Sequence, residues 1–180
     1  MITDRMLTRR NVFLIGPMGS GKSAVGRGLA RLLHLRFLDS DADIEHATGV
    51  DIPYIFEKEG EAGFRVRERE AIERLTRLEG IVLATGGGAV IEPQNRQALA
   101  ERGVVVYLET SVEQQLERTR HTRHRPLLVD TDPERKLRDL MQLRAALYAE
   151  IADLTVSTDG RKVQAVAEEI HEALQRARAP

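Results

Sequence analysis

Short apolar runs alternate with amphipathic stretches along most of the chain. The apolar runs are rich in β-branched residues and predict strands at 12–15, 37–38, 81–84, 104–108 and 154–156. The amphipathic stretches have helical periodicity and predict helices at 24–33, 41–48, 52–59, 62–78, 93–102, 111–120, 133–152 and 163–178. Because strands that alternate with helices usually form a parallel sheet covered on both faces, we expect an α/β fold, a three-layer sandwich around a central five-stranded parallel sheet.

Composition and charge narrow the classes of function. The chain has 180 residues, with 27 lysines and arginines against 28 acidic residues, so its net charge of −1 gives no electrostatic reason to expect nucleic acid or an anionic membrane as a partner. It has no cysteine, which excludes a disulfide framework, a thiolate metal site and a cysteine nucleophile. No linker-like tract divides the chain, so we predict a single domain over residues 1–180.

The amino-terminal segment does not have the pattern of a targeting signal. Residues 1–10 are charged and are followed by only four apolar residues, which is too few for the core of a signal peptide or for a membrane span. We therefore expect a cytoplasmic protein, and we expect it to be a monomer.

The segment after the first predicted strand has the spacing of a phosphate-binding loop. It is Gly16-Pro-Met-Gly-Ser-Gly-Lys-Ser23, and the first predicted helix begins where it ends. Such glycines let backbone N–H groups turn toward one point, where the helix N-terminus and Lys22 add positive charge. The candidate nucleotide-binding residues of this loop are Gly19, Ser20, Gly21, Lys22, Ser23 and Ala24.

Two other interpretations of this loop stay open. An ordinary strand-to-helix turn would also contain glycine. The residues Gly19-x-Gly21-x-x-Ala24, with Asp39 downstream, also match a dinucleotide-binding fingerprint, which would make the protein a dehydrogenase. A lysine and a hydroxyl residue follow the last glycine, however, where a dinucleotide fold needs only small packing residues, and this favours the phosphate loop.

Three carboxylates at alternate positions, Asp39, Asp41 and Asp43, follow the second predicted strand. They do not form a calcium loop, because the glycine and the glutamate that such a loop needs at its sixth and twelfth positions are missing. These acids could simply cap the next helix. Alternatively, Asp39 could reach a Mg²⁺ ion held by Ser23 and the nucleotide phosphates, and Asp41 could accept or orient a hydroxyl proton. No aspartate ends the third predicted strand, so Asp39 is the candidate for the carboxylate that serves the metal.

Two arginines are candidates for binding a carboxylate. Residues 60–73 are dense in charge, and ion pairs on a solvated helix face account for most of this stretch. Arg65 stands out because it follows Gly63-Phe64, near the predicted site. Arg144 lies on the inward stripe of the helix predicted at 133–152, so it should either meet an anion or be ion-paired at the edge of that stripe.

Two loops complete the predicted site. The glycine turn, Thr85-Gly86-Gly87-Gly88-Ala89, is either a flexible turn or a backbone surface on which a small substrate can lie. Residues at about 118–132 are basic and have no apolar periodicity, and we predict that they form a mobile lid. This lid has no aromatic residue for stacking on nucleic acid, and His121 and His124 have no third metal ligand nearby, which argues against both of those uses.

The combination of these motifs closely resembles the shikimate kinase family. The resemblance covers about residues 11–158, and its motifs are the phosphate loop, Asp39-Ser-Asp41, Gly63-Phe-Arg65, Thr85-Gly-Gly-Gly, Arg125-Pro-Leu-Leu and Arg144 before Leu147-Tyr148. It implies a P-loop NTPase fold similar to that of the nucleoside monophosphate kinases. It also implies transfer of the γ-phosphoryl group of ATP to the 3-hydroxyl of shikimate with Mg²⁺ as the cofactor, a step toward chorismate and the aromatic amino acids.

The resemblance also implies a role for each candidate residue. The implied catalytic residues are Lys22, Asp41 and Arg125, of which Arg125 comes from the lid. Ser23 and Asp39 are the implied Mg²⁺-binding residues. The nucleotide is contacted by the phosphate loop and by Lys22, Arg118, Arg125 and Arg161. Shikimate is held by Asp41, Arg65, Gly86, Gly87, Gly88 and Arg144, and residues at about 40–78 form an acceptor-binding helical region. The family often has Asn-Pro after the substrate arginine, where this chain has Ala145-Ala146.

Two alternatives stay open beside this interpretation. One is another small-molecule P-loop kinase, for example of the gluconate type. The other is a nucleotide-gated binding module, which would bind ATP and hydrolyse it slowly without any acceptor. The two alternatives differ from a shikimate kinase in the acceptor they need, so the acceptor is the partner to test.

Overall fold

The computed structural model describes residues 11–120 and 132–178. Within these residues the strands are β1 (Val12–Ile15), β2 (Arg36–Asp39), β3 (Ile81–Ala84), β4 (Val104–Glu109) and β5 (Leu154–Ser157). The helices are α1 (Lys22–Leu33), α2 (Ser40–Thr48), α3 (Ile52–Leu75), α4 (Pro93–Arg102), α5 (Val112–Thr119), α6 (Pro133–Ile151) and α7 (Val163–Arg178), with a short 3₁₀ turn at Ala89–Ile91. None of these described helices has the length and apolar character needed to cross a membrane.

The five strands form one sheet in the order β2-β3-β1-β4-β5, and every neighbouring pair is parallel. β1 is the central strand, and its first residue, Val12, pairs with Val82 of β3 and with Val104 of β4. Since parallel strands end at the same edge of a sheet, the loops that follow β1, β2, β3 and β4 come together there.

The side chains of β1 alternate between two hydrophobic cores. Val12 and Leu14 pack with α1 and α7, whereas Phe13 and Ile15 pack with α2, α3, α4 and α6. All four side chains are fully buried, which explains why the strand is a continuous apolar run in the sequence. Helices cover both faces of the sheet, so the predicted three-layer α/β sandwich is confirmed.

Some element boundaries differ from those predicted. The helices predicted at 52–59 and 62–78 form one element, α3, which ends at Leu75 and is interrupted at Gly60. Gly60 has φ 70° and ψ −178°, a combination that a residue with a side chain adopts only under strain. β2 is longer than the predicted 37–38, because Arg36 and Asp39 pair with β3 through their backbones and need no apolar side chain for that.

The predicted lid falls largely outside the described residues. Residues 121–131 are not described, so Arg125, His121 and His124 lie outside the structural account. The predictions made for them therefore stay predictions.

Candidate active site

The phosphate loop joins the end of β1 to the start of α1. Gly21, the residue before α1, has φ 89° and ψ 17°, a left-handed conformation that glycine adopts without strain. Among the described residues, no side chain caps the N-terminus of α1. The first N–H groups of this helix, together with the positive end of its dipole, therefore favour an anion at the loop.

Lys22 places its ammonium group within the loop. Its Nζ donates hydrogen bonds to the carbonyl oxygens of Gly16 and Pro17, both at 2.7 Å, and lies 3.3 Å from the Ser20 hydroxyl oxygen. The residue is only 9% exposed, and its charge is felt by Asp41 across the site. A buried positive charge thus lies beside the uncapped end of α1, as a polyphosphate site requires.

Ser23 and Asp39 bring two oxygen ligands together beside the loop. The Ser23 hydroxyl donates to Asp39 Oδ2 at 2.6 Å. The other carboxylate oxygen, Oδ1, accepts from the backbone N–H groups of Asp41 and Ala42 and so caps α2. The capping interpretation of Asp39 thus holds for Oδ1, while Oδ2 is left next to the Ser23 hydroxyl, where the sequence predicts a Mg²⁺ ion.

The chemistry of this pair fits a Mg²⁺ ion. Mg²⁺ prefers oxygen ligands, and in phosphotransferases it is usually bound by one or two protein groups together with phosphate oxygens and water. In the two described ranges, no three His, Cys, Asp or Glu residues are grouped so that they could hold a metal ion by themselves. Ser23 and Asp39 would therefore supply only part of the coordination.

The glycine turn after β3 passes close to two carboxylates and one guanidinium group. A Cβ atom on Gly86 would lie 2.8 Å from both Asp41 Oδ1 and Glu68 Oε1, and a Cβ atom on Gly88 would collide with the guanidinium group of Arg65. A side chain at either position would therefore displace these charged groups. The turn is part of a packed site and is more than a flexible connection.

Arg65 reaches this turn from α3, and the charge of Arg144, on α6, acts on the same cluster. Arg65 forms ion pairs with Glu68 at 2.7 Å and with Glu61 at 2.9 Å. Arg144 is 4% exposed and forms no ion pair with a described residue, although its positive charge lowers the pKa of Glu68. An ion-paired arginine at the edge of the α6 stripe is therefore not what is found within these residues. Arg144 is a buried cation, which is costly unless an anion binds there.

Four buried side-chain atoms in the described part of the chain have no hydrogen-bond partner, and all four belong to this cluster. They are Asp41 Oδ1, Glu68 Oε1, Arg65 Nε and Arg144 Nε. Buried polar atoms without partners destabilise a fold, and native proteins contain few of them. Their concentration at one place, with both signs of charge, is what we expect of a site for a small polar ligand that carries an acid and hydroxyl groups.

The electrostatics of the site bring Asp41 toward neutrality. Burial raises the pKa of Asp41 to about 7; the negative charges of Asp39 and Glu68 add to this effect and Lys22 opposes it. Burial also raises the pKa of Glu68, against the opposing charge of Arg65. A carboxylate whose pKa lies near the ambient pH can accept a proton and release it again, as a general base must.

A cavity of about 300 Å³ joins the phosphate loop to the glycine turn. It is lined by Met18, Gly19, Gly21, Lys22, Ser23, Ala24, Asp39, Asp41, Thr85, Gly86, Gly87 and Arg118. The loops after β1, β2 and β3 thus border one space, as the parallel sheet predicts. Arg65, Gly88 and Arg144 are not on its wall; Arg144 borders a separate space of only about 10 Å³. Entry of an acceptor would therefore require side chains of the cluster to move.

Arg118 and Arg161 border a second cleft, of about 160 Å³, on the other side of the phosphate loop. Arg118 donates to the carbonyl oxygen of Gly19 at 3.0 Å and to that of Thr158 at 2.8 Å, so it ties the loop to the segment after β5. Arg161 is ion-paired with Glu169 at 2.5 Å. The other residues of the cleft are Ser20, Gly21, Val25, Val163 and Val166. Apolar walls next to a phosphate loop suit a nucleotide base.

A larger depression, of about 700 Å³, lies between α3 and α4 and is not the candidate site. Two of its arginines, Arg77 and Arg102, pair with Glu73 in the same depression. None of the four unpaired buried atoms belongs to a residue that lines it. It is a solvated groove between surface ion pairs.

Sequence reasoning missed two residues of the site. Glu68 belongs to the stretch interpreted as a solvated helix face, yet it is fully buried. Its position three residues after Arg65, on the same side of the helix, is the feature that could have indicated the pairing. Tyr148 donates from its hydroxyl to the carbonyl oxygen of Gly87 at 2.5 Å. The sequence predicts that Tyr148 lies on the inward side of its helix, but it does not predict the hydrogen bond to Gly87.

The structure defines the class of protein before any relative is considered. A dinucleotide-binding fold has no use for a lysine and a serine at the start of α1. An ordinary turn would not place an uncapped helix end next to a buried cluster of charges. Fold and site together are those of a P-loop phosphotransferase that acts on a small polar acceptor.

Comparisons with known proteins narrow this class to one family. The family model described as "Shikimate kinase" matches residues 18–175. A shikimate kinase of Halorhodospira halophila is 58% identical over 168 residues, which cover 93% of this chain and 95% of that protein. A solved structure of a shikimate kinase from Acinetobacter baumannii in complex with shikimate has a TM-score of 0.94 at 48% identity and covers 97% of this chain and 98% of its own. The chain belongs to the shikimate kinase family, and as such it is an ATP-dependent phosphotransferase acting on an alcohol group.

The gluconate-type alternative receives no comparable support. A gluconokinase from Sinorhizobium meliloti covers 93% of this chain and 94% of its own, but with a TM-score of 0.60 at 18% identity. This likeness shows the fold alone.

Proposed function

We propose that this chain transfers the γ-phosphoryl group of ATP to the 3-hydroxyl of shikimate and releases ADP. The observation that carries the proposal is the group of four unpaired buried atoms, two cationic and two anionic, beside the phosphate loop. Shikimate carries a carboxylate and neighbouring hydroxyl groups, and so offers an anion to the arginines and donors to the carboxylates. The match with a relative whose structure holds shikimate supports the same acceptor.

The nucleotide is bound by the phosphate loop and by the cleft behind it. The β- and γ-phosphates meet Lys22 and the N–H groups at the start of α1, where the positive helix end and the ammonium add up. The adenine lies in the cleft with the valine side chains, flanked by Arg118 and, at the rim, by Arg161. The phosphates are also contacted by backbone groups of the loop, those of Gly19, Ser20, Gly21 and Ala24.

Mg²⁺ is the divalent ion that the donor set of Ser23 and Asp39 suits. When bound, it neutralises charge on the phosphate oxygens during transfer. Ser23 and Asp39 would hold it directly or through water, and the hydrogen bond of 2.6 Å between them keeps both oxygens at the mouth of the loop. The capping bonds to Asp39 Oδ1 fix the orientation of that carboxylate.

The acceptor is held by charge and by backbone. Arg144 and Arg65 bind the carboxylate of shikimate, the former as a buried cation with no ion-pair partner in the described residues. Gly86, Gly87 and Gly88 carry no side chains of their own, so the ring can approach the main chain of the turn once the carboxylates and the guanidinium group that lie against it have moved. Asp41 accepts the hydroxyl proton on the cavity side of the turn.

The chemical step follows from these positions. The hydroxyl oxygen of the acceptor forms a bond to the γ-phosphorus as the bond to the leaving oxygen of ADP breaks, and the hydroxyl proton passes to Asp41. A pKa of about 7 allows Asp41 to take this proton and return it to water. Lys22 stabilises negative charge on the phosphoryl oxygens as the transfer proceeds.

Three predictions from the sequence complete the proposal. Arg125, from the lid at about 118–132, would stabilise the transferring phosphoryl group. The chain would act as a single domain over residues 1–180, with its acceptor-binding region at about 40–78. It would work as a monomer in the cytoplasm, and size-exclusion chromatography with light scattering tests the monomer.

The reaction is tested by measuring ADP release in a coupled assay with four mixtures that contain shikimate, quinate, gluconate or no acceptor. We expect rapid release of ADP with shikimate, and we expect the amount of shikimate 3-phosphate formed to equal the amount of ADP released. Faster release of ADP with gluconate than with shikimate would show that gluconate, and not shikimate, is the preferred acceptor. Equal release with and without acceptors would instead indicate a nucleotide-gated binding module.

A further inference from the structure

Tyr148, on α6, connects that helix to the glycine turn. The residue is fully buried, and its hydroxyl donates a hydrogen bond to the carbonyl oxygen of Gly87 at 2.5 Å. Burial raises the pKa of this phenol, in part against the positive charge of nearby Arg144, so the hydroxyl stays protonated and remains a donor.

Gly87 is the residue at which the turn lies against the phosphate loop. A Cβ atom on Gly87 would lie 3.3 Å from the backbone nitrogen of Met18 and 3.6 Å from the carbonyl oxygen of Gly16. Because a trans peptide is planar, a fixed carbonyl at Gly87 sends the N–H of Gly88 in the opposite direction. Within the described residues, the N–H groups of Gly87 and Gly88 donate to no backbone acceptor, whereas the N–H of Gly86 donates to the Ser40 hydroxyl at 3.1 Å.

One turn of α6 carries both contributions of this helix to the acceptor side. Tyr148 lies four residues after Arg144, so the two side chains leave the same face of the helix. Arg144 supplies a charge, and Tyr148 supplies the hydrogen bond that holds the turn. The orientation of the turn relative to the charge is thus set by a single rigid element.

We propose that Tyr148 is a positioning residue for the acceptor, which acts by holding the Gly87 carbonyl so that the N–H groups of Gly87 and Gly88 face the bound substrate. The proposal rests on the proposed function, since it concerns the binding of that same acceptor. Tyr148 lines neither the cavity beside the phosphate loop nor the cleft assigned to adenine. Its loss should therefore weaken acceptor binding and leave nucleotide binding intact.

The stacked neighbour Tyr107 provides a matched control. Its ring packs on that of Tyr148 with centroids 5.0 Å apart and an interplanar angle of 20°. Tyr107 is also buried, at 5% exposure, and within the described residues its hydroxyl makes no hydrogen bond to the turn. Tyr107→Phe thus removes the same atom from the same aromatic pair without touching Gly87.

The test compares Tyr148→Phe with Tyr107→Phe and wild type in steady-state kinetics, with calorimetric titration of shikimate and of an ATP analogue. Phenylalanine differs from tyrosine by one oxygen atom, so the packing is kept. For Tyr148→Phe we expect KM and Kd for shikimate to rise about five- to tenfold, the usual effect of losing one hydrogen bond. We expect kcat, the KM for ATP and binding of the analogue to stay within about twofold, and Tyr107→Phe to resemble wild type in every value.

Each other outcome contradicts the proposal. Unchanged shikimate constants in Tyr148→Phe would show that the turn needs no such support. An equal effect of Tyr107→Phe would attribute the change to the aromatic pair in general, and a variant that binds neither ligand would show that the hydroxyl supports the whole fold. A wild-type enzyme that releases no ADP with shikimate would refute the proposed function, a result that is distinct from a wild type that is active and a Tyr148→Phe variant that is unaffected.

Discussion

The nucleotide side and the acceptor side of the site differ in how their polar atoms are satisfied. On the nucleotide side, Lys22 donates to two carbonyl oxygens, and the Ser23 hydroxyl donates to Asp39. On the acceptor side, Asp41, Glu68, Arg65 and Arg144 each keep one buried polar atom without a partner. The first side is held in shape by its own hydrogen bonds, whereas the second side lacks bonds that a ligand could supply.

Because of this difference, the two sides of the site contribute differently to the stability of the fold. A buried polar atom left without a partner costs about 1–3 kcal/mol of stability, and charged groups cost more. Among the described side chains, this cost falls on the acceptor side, where a ligand that brings an anion and hydroxyl groups would remove it. Sites that are poor for stability are often the ones used in function. The variants below test whether the two sides behave as differently as their hydrogen bonding indicates.

The largest effect is expected for Lys22→Ala. Loss of a full positive charge from the phosphates should lower kcat by about 10²–10³-fold or more, because that charge acts where negative charge develops in the transition state. Circular dichroism should stay as in wild type. Lys58→Ala, which removes a lysine that is 53% exposed, is the control and should keep full activity. Turnover within a few-fold of wild type in Lys22→Ala would contradict the assignment of the phosphate loop.

Arg144→Ala should break the acceptor side alone. Removal of a charge-assisted hydrogen bond costs about 1.5–3 kcal/mol, so the Kd for shikimate should rise about ten- to a hundredfold in calorimetric titration while an ATP analogue binds normally. Arg138→Ala is the matched control, since Arg138 lies on the same helix and pairs with Glu134 at the surface. Unchanged shikimate binding in Arg144→Ala would place the carboxylate clamp elsewhere.

The nucleotide side could be predicted from the sequence in more detail than the acceptor side. The phosphate loop is a contiguous segment, so its spacing and its neighbouring strand and helix are all visible in the chain. The strand order was not predicted, because it depends on which helices cross which face of the sheet. The loops after β1, β2 and β3 nevertheless border one cavity, because the parallel strands that the sequence predicts all end at the same edge of the sheet.

The acceptor side depends on contacts between distant parts of the chain. The sequence predicts that Glu68 belongs to a solvated helix face, because charged residues such as Arg65, Arg67 and Glu70 flank it. Only the packing of α3 against the glycine turn shows that Glu68 is buried while Arg67 pairs at the surface with Glu59. Local charge density does not reveal which side of a helix faces a neighbour. A contact such as that of Tyr148 with Gly87, 61 residues apart, leaves no local pattern at all.

A third variant, Asp41→Asn, should stabilise the protein that it inactivates. The pKa of Asp41 is about 7 in the folded protein, against about 3.9 for an unperturbed aspartate in an unfolded chain. Between these values the folded state binds more protons than the unfolded state, so stability falls as the pH rises from about 4 to 7 and stays lower above that. Asparagine carries no charge, so the variant does not lose this stability as the pH rises.

Thermal unfolding of ligand-free Asp41→Asn and wild type at several pH values tests this sign. The variant should melt several degrees higher at pH 8, and the gap should close toward pH 4, where Asp41 is protonated in both states. Asp139→Asn, an exposed position on α6, should show no such gap. A variant that is less stable at pH 8 would mean that the Asp41 charge is compensated in the folded protein, and the contrast between the two sides would be smaller than proposed.

The smallest effect is expected for Arg161→Ala, at the rim of the adenine cleft. Arg161 is already bound to Glu169 and to the carbonyl oxygen of Ser157, and its side chain is 33% exposed, so it has little left to offer a nucleotide. Exposed charges contribute about 0–1 kcal/mol, which limits the rise in KM for ATP to about fivefold, and we expect two- to threefold. Arg176→Ala, on the same helix as Glu169 and 66% exposed, should change nothing. A rise above tenfold, measured with shikimate saturating, would show that the base is held by Arg161 itself, and the nucleotide side would then depend on a ligand contact as strongly as the acceptor side depends on Arg144.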